Sequence, residues 1–200
     1  MIFTTEQKLI LASASPRRKM MLEQVGIRFS VCASQLNEQH QPNETPAALV
    51  MRLAIGKARS VAKNNPDSWV IGADTVVCLD NEILGKPGDR DEALGMLMRL
   101  AGTTHQVYTG YCLYHCTAAV AQHGYCCSQV RFTLFDRAYA AAYVATGESM
   151  DKAGAYGIQG LGSSLVREIS GSYTSIVGLP LDSVIALLTR YRIIASTRVD

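Results

Sequence analysis

Two patterns divide the apolar residues of this chain: the unbroken or alternating run of a strand, and the three-to-four spacing of a helix face. Lys8–Ala12 is a short apolar run, and a helix follows over Pro16–Gln24 with Leu22 inward and Gly26 ending it. Phe29–Ala33 alternates as a second strand, and the polar stretch Gln35–Glu44, which contains Asn37 and Pro42, reads as a loop. Thr45 and Pro46 then supply a cap and a first helical residue for a helix ending at about Lys63. Leu49 with Leu53, and Val50 with Ala54, Ala58 and Val61, form its apolar stripe. Lys57 falls on that line. Its stem can lie along the core while the ammonium reaches an edge, and spacing alone leaves open whether a ligand waits there.

Trp69–Ala73 is apolar on both faces, as in the middle of a parallel sheet covered by helices, and leads into Asp74-Thr75. A carboxylate at the end of such a strand stands where open α/β sheets place ligands, although it could equally cap a local turn. Val76–Leu79 and Ile83-Leu84 form a hairpin through Asp80-Asn81-Glu82, before the bend Gly85-Lys86-Pro87. Asp91–Leu100 is a helix ended by Gly102. Gln106–Leu113 and Tyr125–Leu134 are antiparallel strands, and Asp136 caps a helix over Arg137–Thr146. Glu148–Gly160 is dense in glycine and polar residues, which suits a backbone that approaches a ligand closely. Leu165–Ile169 is a strand, and a last helix ends at about Tyr191. The order of elements predicts an α/β fold. No linker divides residues 1–200, so they form a single domain.

Composition narrows the picture. An apolar content of 48% with 18% charged residues describes a folding chain. The net charge of +2, with both signs interleaved, lacks the basic stripe of a nucleic-acid binder, so no nucleic-acid polymer is expected as partner. No apolar run reaches the roughly 18–20 residues of a membrane span, and the first residues lack a signal-peptide layout, so a cytoplasmic location is expected. The six cysteines show no C-x-x-C pair and read as small apolar fillers.

Candidate chemistry begins at Leu11-Ala12-Ser13-Ala14-Ser15-Pro16-Arg17-Arg18, a strand that turns into a helix start. Ser15 can cap the free amides there, and the helix end with two arginines attracts an anion such as phosphate. P-loop, dinucleotide-binding, nucleophile-elbow and H-E-x-x-H patterns are all missing from the chain. The loops at strand ends hold three acids, Glu38, Asp74 and Asp151, against five cations, Arg17, Arg18, Lys57, Lys86 and Lys152. Phosphoanhydride hydrolysis needs that combination: cations to stabilise phosphoryl oxygens, carboxylates to hold Mg²⁺ or orient water.

The order Leu-Ala-Ser-x-Ser-Pro-Arg-Arg (11–18), Asn-Glu (37–38), Arg-Leu-Ala-x-x-Lys-Ala (52–58) and Gly-Ala-Asp-Thr-Val-Val (72–77) resembles the Maf family. So do Gly-Lys-Pro (85–87), Gly-x-Thr-His-x-Val-Tyr-Thr-Gly (102–110), Asp-Lys-Ala-Gly-Ala-Tyr-Gly-Ile-Gln-Gly (151–160), and Gly-Ser-Tyr followed by Val-Gly-Leu-Pro (171–180). The resemblance implies an elongated mixed sheet flanked by helices, with two lobes around a cleft, similar to inosine triphosphatases. It implies a nucleoside triphosphate pyrophosphatase that gives the monophosphate and pyrophosphate with a divalent metal, Mg²⁺ first and Mn²⁺ or Co²⁺ as alternatives. Ser-Pro-Arg-Arg with Ile-Gln-Gly looks like the branch acting on dTTP and UTP, including modified pyrimidine nucleotides. Alternatives are a nucleotide-binding regulator of septum formation and cell division without catalysis, or a pyrophosphatase for modified purine nucleotides such as 7-methyl-GTP. Carried over by position, Asp74 matches the proton acceptor, and with Glu38 it is a candidate metal ligand. Arg18, Thr75 and Gln159 match positions tied to base selection, while Ser13, Arg17, Lys57, Lys86, Asp151 and Lys152 match other substrate-binding positions. A homodimer is a further implication of the family.

Overall fold

A computed structural model describes residues 2–36, 38–39, 41 and 44–197. Asn37 and Pro42 of the expected loop lie outside the described residues. In chain order the elements are β1 (Phe3–Thr5), β2 (Leu9–Leu11), α1 (Pro16–Gln24), β3 (Ser30–Val31), α2 (Pro46–Ala62) and β4 (Trp69–Leu79). There follow β5 (Glu82–Leu84), α3 (Arg90–Leu100), β6 (Thr104–His115), β7 (Val120–Phe132), α4 (Arg137–Ala145) and β8 (Val166–Ser170). The chain closes with α5 (Tyr173–Val177), α6 (Leu181–Arg190) and β9 (Ile194–Ser196).

The main sheet has the order β3-β2-β4-β6-β7-β8, with β5 added to β4. It is mixed. β2 runs parallel to both β3 and β4, whereas β4/β5 and β7/β8 are antiparallel. The turn between β6 and β7 is too short for a crossover, so those strands form a hairpin. The α/β class expected from the sequence is therefore observed. β1 and β9 make a separate two-stranded sheet, which three-residue strands nearly two hundred positions apart do not announce by periodicity.

One boundary differs in a way that matters for the site. β4 does not stop at Asp74 but continues to Leu79, so the carboxylate is inside a strand rather than at its end. Its parallel neighbour does end: Leu11 pairs with Ile71, and Ala12 N–H gives the last bond to Ile71 O at 2.8 Å before the chain turns toward α1. β5 pairs only from Val77 onward. Asp74 lies in the stretch between these two pairings.

The chain divides into two compact units, Met1–Asp74 with Thr109–Cys126 and Gly178–Asp200, and Thr75–Tyr108 with Cys127–Val177. The first has α2 as its central helix, and Ala54, Ala58, Val61 and Ala62 pack against Ile10, Val70 and Cys112. The second packs α3 on α4, and the rings of His105, Phe132 and Tyr156 meet edge to face at 4.7–5.3 Å between centroids. All six cysteines are free; Cys78 and Cys112 are buried as the filler reading expects, whereas Cys32, Cys116 and Cys127 are exposed and fill no core.

Candidate functional site

In the first unit, two glycines set the geometry. A side chain at Gly72 of β4 would put its Cβ 2.1 Å from Ala54 O, and one at Gly110 of β6 would put it 2.2 Å from Val50 O. α2 therefore rests backbone to backbone on the sheet at these points. That close approach brings Lys57, one turn beyond Leu53, down to Asp74, two residues beyond Gly72. Lys57 Nζ donates to Asp74 Oδ1 at 2.7 Å and lies 2.7 Å from Glu38 Oε1. Both Lys57 and Asp74 are buried, while the Glu38 side chain is half exposed. The Lys57 stem is core, and its ammonium joins two carboxylates.

The Glu38 segment is held by contacts that periodicity does not reveal. Arg52 Nε and Nη2 grip the Glu44 carboxylate at 2.6 and 2.7 Å, and Nη2 also donates to Gln39 O at 3.0 Å. Leu36 covers Gly56, where a Cβ would meet its Cδ2 at 2.6 Å.

The turn into α1 differs from expectation in its details. Ser15 occupies the N-cap position, yet its hydroxyl makes no capping bond. Ser13 organises the turn instead: its Oγ accepts from Ser15 N–H at 3.2 Å and from Arg18 Nη1 at 3.0 Å. Arg18 is buried and donates from Nε to Gly178 O at 2.7 Å. Burial lowers the Arg18 pKa, and the Asp74 carboxylate opposes that shift. Arg17, in the same helical turn, is half-buried.

The second unit holds Thr75, Lys86, Asp151, Lys152 and Gln159. Lys86 is exposed beside Gly85, whose carbonyl accepts from Gly154 N–H at 3.0 Å, so the 85–87 bend lies against the 151–154 turn. Lys152 Nζ donates to Glu148 O and Asp151 Oδ1, both at 2.5 Å. Thr75 and Gln159 are half-buried.

Glu148 is the residue the sequence did not single out. Its Oε1 accepts from Tyr143 OH and Gly162 N–H, each at 3.0 Å, and its Oε2 from Leu161 N–H at 3.1 Å. Tyr143 OH accepts from Gly157 N–H at 3.1 Å. Burial would raise the Glu148 carboxyl, but these donors, with Lys152 nearby, hold it below the usual carboxylate range. A Cβ at Gly160, where φ is +67°, would lie 2.8 Å from Glu148 Oε2, and one at Gly157 would lie 3.2 Å from Oε1. Of the glycines in this stretch, Gly160 lies closest to Glu148, Gly157 lies against Lys152 and Glu148, and Gly154 lies against Val77, while the amides of 161 and 162 are used internally.

The family described as Maf-like protein matches residues 8–191. The chain belongs to the Maf-like family. A Desulfotalea psychrophila member named dTTP/UTP pyrophosphatase is 46% identical over 97% of this chain and 100% of its own. Members of the same name from Symbiobacterium thermophilum and Clostridioides difficile are each 49% identical, over 92% of this chain and 94% of theirs. Among solved structures, the Staphylococcus aureus Ham1 protein aligns at 15% identity with a TM-score of 0.45, over 64% of this chain and 72% of that one. No helix among the described residues is long and apolar enough to cross a membrane.

Proposed function

We propose that this Maf-like chain is a nucleoside triphosphate pyrophosphatase that cleaves dTTP and UTP between the α and β phosphates. The observation that carries the reading is the Glu38–Lys57–Asp74 group, in which two carboxylates converge on one ammonium at 2.7 Å each. The name shared by relatives of nearly full length supports the substrate class. Residues 1–200 act as one domain in this reading, since the chain passes between its two units within the continuous strands β4, β6 and β7.

The donor set fits a divalent metal of the Mg²⁺ kind. Among the described residues no cluster of three or more acidic, histidine or cysteine side chains gathers, so an all-protein cage is not built. Two carboxylates that share one cation position suit an ion whose other ligands are water and substrate phosphates, and Glu38 and Asp74 would hold it. When bound, such an ion neutralises phosphoryl charge.

The chain's own groups supply the rest. Asp74 accepts the proton of the attacking water as the new O–P bond forms, the α–β anhydride breaks, and pyrophosphate leaves with the bond's electrons. The Lys57 side chain, hydrogen-bonded to Asp74 Oδ1, holds that carboxylate in place. Ser13, Arg17, Arg18, Lys86, Asp151 and Lys152 bind substrate, with Arg18 also tied to the choice of base. Gln159, with Thr75, reads the base: an amide presents one donor and one acceptor, which complements one edge of uracil or thymine.

Pyrophosphate release from dTTP and UTP, measured with Mg²⁺ for the native protein and Asp74→Asn, tests the reading. Turnover by the native protein and a loss of about 10³-fold in the variant are expected. Equal turnover by the two would remove Asp74 from the chemistry.

A further inference from the structure

We propose that Glu148 is the positioning residue for base recognition, acting through the loop that carries Gln159. This deepens the proposed function and rests on the assignment of Gln159 to the base.

The observations lie wholly within the second unit. Gln159 sits between two segments fastened to the same carboxylate: Gly157 before it, through Tyr143 OH, and Leu161 and Gly162 after it, directly. Every one of these bonds ends on a backbone amide, so the carboxylate fixes the path of the main chain and leaves the Gln159 side chain uncommitted. The glycines complete the device. A side chain at 160 would intrude on Glu148, one at 157 would press on Lys152 and then on Glu148, and one at 162 would meet Gly157 O at 2.2 Å. Tyr156, three residues before Gln159, is anchored independently by a 2.8 Å hydrogen bond between its hydroxyl and His105 Nε2.

An amide cannot replace this carboxylate. Whichever way the side chain of Glu148→Gln turns, its NH₂ faces an N–H donor, at either Leu161 or Gly162. One leg of the cradle is lost and the loop gains freedom around Gln159. The consequence falls on discrimination between bases rather than on the chemical step, because the hydrogen bonds of the Glu148 carboxylate go to Tyr143 and to the amides of this loop.

The test is a nucleotide panel of dTTP, UTP, CTP, dGTP and ATP, with kcat and KM measured for the native protein, Glu148→Gln, Gln159→Ala and the double variant. The native protein should favour dTTP and UTP, and Gln159→Ala should erase that preference. Glu148→Gln should cut the preference at least tenfold, mainly through KM, with kcat for dTTP within about threefold of native. The double variant should resemble Gln159→Ala, since the two changes act on one contact. Tyr143→Phe keeps the carboxylate and removes one bridge, and should give the same effect more weakly even if Glu148→Gln fails to fold. Native-like discrimination in Glu148→Gln, or an equal loss of turnover on every nucleotide, would overturn the proposal. A preference that survives Gln159→Ala would instead overturn the assignment of Gln159 beneath it, and is told apart by that single variant.

Discussion

Two charged groups in this molecule are held in opposite ways. Lys57 in the first unit is a buried cation whose 2.7 Å contacts, to Glu38 and Asp74, are with other side-chain charges. Glu148 in the second unit is an anion whose partners are two backbone amides and a tyrosine hydroxyl. A side-chain ion pair can be rearranged: either partner can rotate away and give its charge to an incoming phosphate or metal. Backbone amides in a turn cannot leave without unmaking the turn. The first arrangement suits a group that takes part in a reaction, and the second suits a scaffold that must not move. What sets them apart for function is what their partners are attached to.

The largest break in that comparison is Lys57→Met. It leaves the Asp74 carboxylate buried without its ammonium, and removing one member of a buried pair destabilises by about 3 kcal/mol. If Lys57 faces the reacting phosphate, losing its charge should lower kcat about 10²-fold as well. Urea denaturation and pyrophosphate release measure the two effects separately. A variant with native stability would show that the burial of Asp74 does not depend on its partner.

A smaller break leaves the three charges in place and loosens what aims one of them. Arg52→Lys replaces a two-pronged grip on Glu44 with a single point contact and loses the bond to Gln39 O. The neighbouring Glu38 should then be less well placed. If Glu38 holds the metal, the metal concentration for half-maximal turnover should rise about tenfold. The kcat at saturating metal should stay within about threefold. Metal titration under fixed dTTP checks this, and an unchanged titration would detach the Arg52–Glu44 grip from the site.

A third measurement sharpens the comparison from the scaffold side. Burial lowers the His105 pKa from 6.5 to about 4, so the folded protein keeps it neutral where the unfolded chain binds a proton. Between about pH 6.5 and 4 the unfolded state therefore holds more protons, and stability falls as the pH falls, by at most about 1.4 kcal/mol per pH unit from this group. Above pH 6.5 the contribution is complete. His105→Phe should flatten the profile of melting temperature against pH in that window and leave the slope above it unchanged. An equal slope in both proteins would show that His105 is not the group responsible.

How far the sequence went follows from which interactions have a period. α2 could be drawn with its apolar stripe and with Lys57 upon it, because helix faces repeat. That Lys57 meets Asp74 could not, because the meeting depends on Gly72 and Gly110 letting the helix settle on the sheet, and a contact between distant segments leaves no local mark. Asp74 was expected at a strand end because Asp-Thr interrupts an apolar run, whereas the strand continues and only its neighbour stops. Ser15 fits the preference for an N-cap, yet Ser13, two residues earlier, makes the bonds. Glu148 had a signal that could have been followed: an acid preceding Gly157, Gly160 and Gly162, where a half-buried anion would need amides uncovered by side chains. Motif order supplied the family, and the family comparison bears that out.

The smallest effect separates the two carboxylates that share Lys57. Their distances to its ammonium are the same 2.7 Å, but Asp74 is 10% exposed at the side chain and Glu38 is 52% exposed. Water already solvates the Glu38 end, so the ion pair there has little left to gain, and Glu38→Gln should change stability by less than about 1 kcal/mol. Asp74→Asn leaves a buried ammonium facing a neutral amide and should cost more than Glu38→Gln does. Both variants should lose turnover if Glu38 and Asp74 hold the metal together. Equal stability losses in paired denaturation curves would mean that exposure does not govern this pair. A loss of turnover without a loss of stability in Glu38→Gln would instead mark its contact with Lys57 as one kept for the reaction rather than for the fold.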